Sequence, residues 1–507
     1  MSSTLGRAAL VVSGGILLSR LLGFLREVVL AALLGRTIEA DLYQAAFAIP
    51  DFLFFLMAGG YLTITFVPIM SRHLADEDAA EANRSFSAVA RVVGGLMLVV
   101  TVATMLAARP LVEHAFPRLP AERIPELTDL VRIILPAQFF FVVGSLLMAV
   151  QYAHRRFLVP TLAPVVYNVG IIAGGMASWA VGNPDPAGFV WGALGGAVVG
   201  NFALQWWGAH RLGLRLQGRV PLGHRAVPEY FALAFPLMIG QSAVGLDEVF
   251  LRIFGQLGSP GDIAALNYAR RVNMLPVGVI AQAAGVASYP FLARLFAQGK
   301  LPEMRETVRR AVRSGVIVAG LGAAGVVALA LPIVQVAFQR GEFRAEDAVP
   351  TAALLAIYGL SVPMWTAHQV YTRGFYAQRR MWLPVGVGTA ATVLAIPLYL
   401  YGGSTWGAPG VASASVAVMG VYALAMGWLW HRSDPVGPVA ATLARTLAAA
   451  VPAGGAGWLL ARSLTGGTPS SIPTAVAALV GGGVVTVAVY WGVLRLLRAP
   501  ELDELRR

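Results

Sequence analysis

The sequence has no cysteine, and only 13% of its 507 residues are charged. The absence of cysteine excludes disulfide bonds, thiol catalysis and cysteine-ligated metal sites. The charged fraction is about half of that found in soluble domains. No polar stretch is long enough for a soluble domain, because the longest intervals between apolar runs are 71–86, 109–128 and 209–229. The chain also lacks the P-loop, HExxH and GxSxG motifs, so we expect a single membrane domain without enzyme activity.

Apolar windows account for most of the chain, of which 57% is hydrophobic. A helix needs around 20 mostly apolar residues to cross about 30 Å of hydrocarbon. The first window is too long for the core of a cleavable signal peptide and carries internal charges, so we interpret it as the first span. The sequence therefore predicts an all-α integral membrane protein with about 14 transmembrane helices. The windows lie near 8–34, 41–70, 87–109, 129–153, 158–182, 187–210, 230–255, 264–292, 311–338, 350–376, 382–402, 407–431, 441–462 and 472–497.

Basic residues mark one side of the membrane. Alternate connections and both termini carry about 22 arginines and lysines, against about seven on the other side, which is the positive-inside pattern. It predicts a multi-pass protein of the bacterial cytoplasmic membrane with both termini in the cytoplasm. It also explains the net charge of +12 as a topology signal and a contact with anionic membrane lipids, not as a nucleic-acid-binding surface. The basic side includes Arg7, Arg72, Arg155, Arg156, Arg211, Arg294, Lys300, Arg305, Arg309, Arg379, Arg380, Arg432 and Arg498.

Two segments are similar at an offset of 224 residues, QYAHRRFLVP at 151–160 and FYAQRRMWLP at 375–384. A second pair, 108–116 and 330–338, has nearly the same offset. The offset spans six helices, an even number, so both copies point the same way through the membrane. Parallel repeats of this kind recur in transporters that bind substrate between the halves. We expect an N-lobe of helices 1–6 at 1–228, a C-lobe of helices 7–12 at 229–435, and two added helices at 436–507.

Arginines inside the spans are the strongest functional signal. Arg20 and Arg26 lie in span 1, and Arg270 and Arg271 lie in span 8. An arginine at the centre of a span costs about 2.5–3.5 kcal/mol, so these side chains must face a wet cavity or a counter-charge. Because arginine keeps its charge and donates paired hydrogen bonds to phosphate, the cluster predicts a cationic cavity for an anionic substrate.

Internal ion pairing is the alternative interpretation of these charges. Arg20 and Glu27 lie on one helical face, and Asp247 in span 7 is a candidate partner for Arg271. Pairing of this kind leaves Arg26 without a partner, so we favour the cavity. On an unbent helix Arg20 and Arg26 point about 240° apart. We therefore expect span 1 to bend or break at its glycines, Gly14, Gly15 and Gly23.

Asp247 and Glu248 are candidates for coupling to a cation, with pairing to Arg252 or Arg271 as the alternative. Asn168 in span 5 either lines the cavity or bridges two helices. No cofactor or metal site is expected. The sequence does not decide whether transport is driven by sodium, by protons, by the membrane potential or by none of these.

Asp76 and Asp78 form a D-x-D pair, a pattern that holds metal and sugar nucleotide in some transferases. Their place on a short connection before a helix favours a helix N-cap instead.

The first span, LLSRLLGFLREVVLAALLG at 17–35, contains the pattern S-R-x-x-G-x-x-R-[DE] from Ser19 to Glu27. Together with segments 40–53, 65–74, 267–279, 337–349 and 373–385, it resembles the MurJ (MviN) type lipid II flippases of the multidrug/oligosaccharidyl-lipid/polysaccharide exporter superfamily. The resemblance covers nearly the whole chain, and the span 1 pattern is fairly specific.

The resemblance implies transport of lipid II, the undecaprenyl-pyrophosphate-linked precursor of peptidoglycan, from the cytoplasmic to the outer leaflet by alternating access. It implies that Arg20, Arg26 and Arg271 are cavity arginines, that Asp41 is the acidic residue of span 2, and that helices 13 and 14 form a groove for the lipid tail. The candidate substrate-binding residues are Arg20, Arg26, Arg271, Arg270, Asp41, Glu27, Ser19 and Asn168.

The sequence departs from this family at several positions. Relatives often have a basic pair where this chain has Phe54 and Phe55, and some have an acidic residue where it has Arg270. Asp247 matches a position that helps bind sodium in some members, but span 11 lacks an Asn or Asp to complete such a site. The alternatives are a flippase for another polyprenyl-pyrophosphate-linked glycan, a cation-coupled drug antiporter of the same superfamily, and an intramembrane glycosyltransferase.

Overall fold

The computed structural model describes residues 2–56, 61–218, 220–432 and 437–504. Within these ranges the chain forms 22 α-helices and no strand, which confirms the all-α fold class. The chain divides into two compact units, Met1–Gln256 and Leu257–Arg507. The predicted lobe boundaries near residues 228 and 435 come from the internal repeat, not from the division into compact units. These boundaries stay a prediction.

The first unit contains twelve α-helices. A 3-10 helix, Ala121–Arg123, precedes α7, and a π-helical segment, Ala197–Ala203, joins α10 to α11. The helices are α1 (Ser2–Leu34), α2 (Ile38–Ala46), α3 (Ala48–Leu56), α4 (Tyr61–Ala75), α5 (Ala79–Leu106), α6 (Ala108–Ala115), α7 (Ile124–Ile134), α8 (Pro136–Ala153), α9 (Leu158–Ala180), α10 (Pro186–Gly196), α11 (Leu204–Arg211) and α12 (Ala226–Gly255).

The second unit contains the remaining ten α-helices of the described chain. The hairpin of α20 and α21 packs against α14, and Tyr490 donates a hydrogen bond to the carbonyl oxygen of Ile317 at 2.6 Å. The helices are α13 (Asp262–Ala297), α14 (Leu301–Ala328), α15 (Ala330–Phe338), α16 (Ala345–Gly359), α17 (Val362–Ala377), α18 (Trp382–Trp406), α19 (Ala408–His431), α20 (Gly437–Thr465), α21 (Ile472–Leu496) and α22 (Glu501–Glu504).

Ten helices or joined helices among the described residues are long and apolar enough to cross a membrane. They begin at Ala79, Ala121, Leu158, Pro186, Leu301, Ala345, Trp382, Ala408, Pro438 and Ile472. The other four predicted windows fall on α1, on α2 to α4, on α12 and on α13. The chain is a multi-pass membrane protein, and the count of fourteen spans stays a prediction.

Span 1 is one continuous helix, so it does not break at its glycines, and the expected bend stays a prediction. Backbone N–H groups in the middle of α1 are therefore used within the helix and are not offered to an anion. Span 2 is interrupted instead: α2 ends before Phe47, whose N–H bonds back to Ala45 and Gln44, and α3 begins at Ala48.

The predicted repeat is visible in the backbone. Arg155 and Arg379, at equivalent positions of the two similar segments, both adopt the left-handed conformation, with φ of 57° and 60°. The N–H of Arg155 bonds to the carbonyl of Tyr152 at 2.9 Å, and that of Arg379 to Tyr376 at 3.0 Å. The two similar segments thus end their helices in the same way, as Glu77 and Arg498 also do elsewhere in the chain, and the common origin of the segments stays a prediction.

Two local features of the first unit fix the beginning of one helix and the spacing between two others. Asp78 accepts a hydrogen bond from the N–H of Glu81 at 2.9 Å, so this residue of the D-x-D pair caps α5, as predicted. Gly170 of α9 faces Gly192 of α10 so closely that a Cβ on Gly192 would lie 2.3 Å from the Gly170 carbonyl oxygen. Small residues allow this close backbone contact between membrane helices. The contact holds α9, which carries Asn168, against α10.

Candidate substrate-binding site

Arg26 and Glu27 of α1 form a buried ion pair in the first unit. Arg26 Nη2 donates to Glu27 Oε1 at 2.6 Å, and the Glu27 side chain is only 2% exposed. The expectation that pairing would leave Arg26 without a partner is therefore wrong. Sequence-adjacent residues point in different directions on a helix, but the long arginine side chain reaches back to its neighbour's carboxylate.

Two further helices contribute polar side chains to this pair. Asn168 of α9 accepts a hydrogen bond from Arg26 Nη1 at 3.4 Å and donates to the carbonyl oxygen of Pro164 at 2.8 Å. Gln44 of α2 donates to Glu27 Oε2 at 3.2 Å. Asn168 therefore bridges two helices, which was one of its two predicted roles. Gln44 was missed, although a glutamine in the middle of an apolar window is a visible signal.

A second ion cluster in the same unit is centred on Arg252 of α12. Arg252 Nη1 lies 2.5 Å from Asp51 Oδ2 of α3, and Arg252 Nη2 lies 2.9 Å from Glu248 Oε1 of α12. The Arg252 side chain is 6% exposed, whereas those of Asp51 and Glu248 are 28% and 33% exposed. Glu248 thus has the pairing partner that was weighed against a coupling role. Asp51 was not among the predicted site residues, although it is a carboxylate within a predicted span.

Electrostatic interactions join the two clusters. The Asp51 carboxylate interacts with Arg26 as well as with Arg252, and the Tyr167 hydroxyl interacts with both arginines. Two guanidinium groups and three carboxylates therefore share one polar region inside the first unit. A buried pair of this kind offsets the desolvation of its charges only when the remaining donors and acceptors are satisfied.

Both Arg26 and Arg252 keep one hydrogen-bond donor that is not satisfied by the described part of the chain. The Nε atoms of Arg26 and Arg252 are both buried and have no hydrogen-bond partner among the residues that the structure describes. Each is a charged N–H donor that is not used by the ion pairs of the terminal nitrogens. An anion with several oxygen atoms can accept from such donors while the ion pairs stay intact.

The other predicted residues lie in both units. In the first unit Arg20 is exposed, Ser19 and Asp247 are half-buried, and Asp41 in the first turn of α2 is 3% exposed. Arg270 and Arg271 are half-buried on α13 of the second unit. The structure brings together Arg26, Glu27 and Asn168 of the predicted set and adds Gln44, Asp51 and Arg252.

Phe54 and Phe55 stand at the two positions where, according to the family resemblance, relatives often have a basic pair. Phe54 contacts Phe55 with ring centroids 6.1 Å apart and Phe141 at 5.9 Å. Phe141 in turn contacts Tyr167 at 5.3 Å. Residues 54 and 55 therefore supply apolar surface here instead of a phosphate contact.

Comparison with known proteins gives consistent matches. Residues 30–477 match the family model described as lipid II flippase MurJ. A protein of Rhizobium meliloti (strain 1021), named probable lipid II flippase MurJ, is 28% identical over 98% of this chain and 94% of its own length.

Two solved structures share the fold. A lipid II flippase MurJ in an inward closed conformation superposes with a TM-score of 0.79 at 19% identity, covering 96% of this chain and 99% of the other. An inward-facing multidrug resistance MATE family transporter of the MOP superfamily has a TM-score of 0.67 at 15% identity, covering 84% of this chain and 95% of the other.

Proposed function

Because the chain belongs to the lipid II flippase MurJ family, we propose that the polar region around Arg26 and Arg252 binds the pyrophosphate of lipid II during its transfer across the membrane. The protein is a lipid II flippase, and its family is one of transporters, not of catalytic enzymes. The pyrophosphate that joins the lipid of lipid II to the disaccharide-peptide is negatively charged. The binding residues, the direction of transfer and the energy source are the parts that need tests.

The unused N–H donors of Arg26 and Arg252 carry the proposal. Both guanidinium groups are held in place by carboxylates through their terminal nitrogens, while each Nε–H is buried without an acceptor in the described chain. A buried donor of this kind destabilises the protein by about 1–3 kcal/mol until an acceptor arrives. A pyrophosphate oxygen is such an acceptor, and its binding would remove this cost.

The carboxylates then have a role in transport. Glu27, Asp51 and Glu248 hold the two arginines and offset their charge when no substrate is bound. A site with fixed arginines and no carboxylates would bind a pyrophosphate too tightly for release into the outer leaflet. Paired arginines bind the anion with less net attraction, which favours turnover.

We also propose that Arg20, Arg270 and Arg271 contact the headgroup, and that transfer proceeds by alternating access from the cytoplasmic to the outer leaflet. The orientation with both termini in the cytoplasm rests on the basic residues of alternate connections. Labels at Arg155 and Lys300 should react only from the cytoplasm, and labels at Arg118 and Arg344 only from outside. Labelling of position 300 from outside would contradict the orientation.

Lysine substitutions test the site. Arg26→Lys and Arg252→Lys keep the positive charge and the pairing with carboxylates, but they remove the planar group with its Nε–H donor. We expect lipid II affinity, measured on the purified protein, to fall by about tenfold, since one charge-assisted hydrogen bond contributes about 1.5–3 kcal/mol. Thermal stability should change little.

Arg109→Lys is the matched control, because Arg109 forms an exposed pair with Glu113 at 2.9 Å in the same unit. It should leave both affinity and stability unchanged. Unchanged lipid II affinity in both Arg26→Lys and Arg252→Lys would mean that these arginines are structural. Competition with other polyprenyl-pyrophosphate-linked glycans, and with cationic drugs, distinguishes the two alternative substrate classes.

A further inference from the structure

A cavity of about 510 Å³ lies in the second unit between the beginning of α14 and the end of α19. Its walls are Gly299, Leu301, Pro302, Arg305, Glu306, Arg309 and His431. The volume falls within the range of small-molecule sites, roughly 300–1,000 Å³. The cavity therefore has room for a ligand of the size of a lipid headgroup.

Helical spacing explains why two arginines line the cavity. Residues 301, 305 and 309 are each four apart on α14, so Leu301, Arg305 and Arg309 lie along one face of the helix. Both arginines are half-buried, which lowers the dielectric constant around them and strengthens their attraction for an anion. Leu301, 40% exposed, adds an apolar surface beside the two charges.

The one acidic residue of the wall is already neutralised. Glu306 forms an ion pair with Arg309 through Oε2, and its Oε1 accepts from Arg310 Nε at 2.7 Å. Arg309 Nε is buried and has no hydrogen-bond partner among the described residues. The lining thus holds two arginines against one glutamate, and Arg309 Nε is a donor that the ion pair with Glu306 does not use.

The N-terminus of α14 adds to the positive electrostatic potential of the two arginines. The cavity lies at the N-terminus of the 28-residue α14, and the side chain of the N-cap residue, Lys300, does not cap the backbone N–H groups of the first turn. The positive end of the helix dipole and the first N–H groups attract anions, phosphates in particular. The helix end and the two arginines act on the same space.

An aromatic and basic pair lies at the end of α19 that borders the cavity. The end of α19 carries Arg432 with its guanidinium carbon 4.9 Å from the centre of the Trp428 ring, one turn before His431. Tryptophan with a neighbouring basic residue is typical of the level of the lipid headgroups.

We propose that this cavity binds a phosphate ester through Arg305 and Arg309. The two sources of such a group are the phosphodiester of an anionic membrane phospholipid and a free phosphate compound in the aqueous phase. Either would bridge the first turns of α14 to the end of α19. This site lies outside the polar region around Arg26 and Arg252, and its existence does not depend on which residues bind the transported substrate.

The test uses the full-length purified protein in nanodiscs. Its thermal midpoint is compared in phosphatidylcholine alone, in phosphatidylcholine with phosphatidylglycerol, and in phosphatidylcholine with added inorganic phosphate, since a ligand that binds the folded state raises the midpoint. A rise with phosphatidylglycerol only identifies the lipid as the source, and a rise with inorganic phosphate identifies a soluble phosphate. Both results support the site if they are lost in the variants below.

Arg305→Gln combined with Arg309→Gln should weaken binding at least tenfold and abolish the rise in the midpoint. Leu301→Trp is a second variant that narrows the cavity without changing its charge, and it should also weaken binding. Arg380→Gln is the matched control, because it removes one positive charge from an exposed connection between α17 and α18. An equal rise in the wild type, the control and both cavity variants would overturn the proposal, as would no rise in the wild type with either ligand.

Discussion

Glu501, which has no exposed surface, lies 3.0 Å from Arg313 and so fastens the short helix α22 to α14. Its Oε1 also accepts from Arg445 of α20 at 3.0 Å and from the Thr442 hydroxyl at 2.5 Å. Glu504 adds a second contact to Arg313 at 2.8 Å. The last described helix therefore ties the hairpin of α20 and α21 to the rest of the second unit.

We predict that Glu501→Gln lowers the free energy of unfolding by about 1.5–3 kcal/mol, because it weakens the charge-assisted contacts to Arg313 and Arg445, while Arg313 keeps its pair with Glu504. Thermal unfolding of the purified protein measures the change. Glu303→Gln is the control: its exposed pair with Lys300 at 3.2 Å should contribute about 0–1 kcal/mol. Equal stability of both variants would show that the Glu501 contacts do not hold the hairpin.

Stability should depend on pH through the same residue. Burial raises the pKa of Glu501, but hydrogen bonds from Thr442, its own backbone and Arg313 outweigh this effect and hold the pKa below its usual value. A lowered pKa means that the folded state favours the ionised form. The stabilisation is therefore complete above the unfolded pKa of about 4.3 and is lost as pH falls through the lower folded pKa. The wild type should lose stability in this acid range more steeply than Glu501→Gln, as measured by thermal unfolding at several pH values.

For the Arg26–Glu27 pair we predict that a double substitution restores stability without restoring lipid II affinity. Arg26→Gln alone should destabilise the protein by about 3–5 kcal/mol, because Glu27 stays buried with its charge. Arg26→Gln with Glu27→Gln should restore most of the stability, yet lipid II affinity should stay at least about tenfold reduced. Both quantities are measured on the same purified variants. Recovery of affinity together with stability would assign Arg26 to the scaffold.

The left-handed conformation of Arg155 and Arg379 gives a prediction about the repeat. A β-branched residue is strained at positive φ, so Arg155→Val and Arg379→Val should each destabilise the protein by about 1–2 kcal/mol. Arg156→Val is the control, since Arg156 follows the turn and has no positive φ. A similar loss of thermal stability at 155 and 379, absent at 156, would support structural equivalence of the two segments.

Asp247 is the candidate residue for coupling transport to an ion or to the membrane potential. It is half-buried on α12 beside the ion-paired Glu248. We predict that Asp247→Asn changes how transport depends on ions, pH or membrane potential more than it changes lipid II affinity, because an intramembrane carboxylate can carry a proton or bind a cation. Vesicle transport under imposed gradients measures this dependence. An unaltered dependence in the variant would leave Asp247 with a structural role.

The sequence alone was sufficient for properties that depend on short stretches of chain. A span needs a continuous apolar window, a cap needs one polar residue before a helix, and a repeat needs two similar segments. The all-α membrane fold, the Asp78 cap and the flippase family were predicted correctly for this reason. The positions of the intramembrane charges were also evident, since an arginine in an apolar window is rare.

Only the tertiary structure decided which of these charges are paired. Helical periodicity relates residues of one helix, and it suggested Arg20 as the partner of Glu27. Arg26 with Glu27 and Arg252 with Glu248 pair within one helix, but two further contacts join different helices: Arg26 to Asn168 across 142 positions, and Arg252 to Asp51 across 201. Such pairs depend on which helices pack side by side, and this is set by the shapes of their surfaces, such as the glycines between α9 and α10. No local sequence pattern predicts that packing, so the carboxylate of Asp51 and the amide of Gln44 could be assigned to the site only from the packed helices.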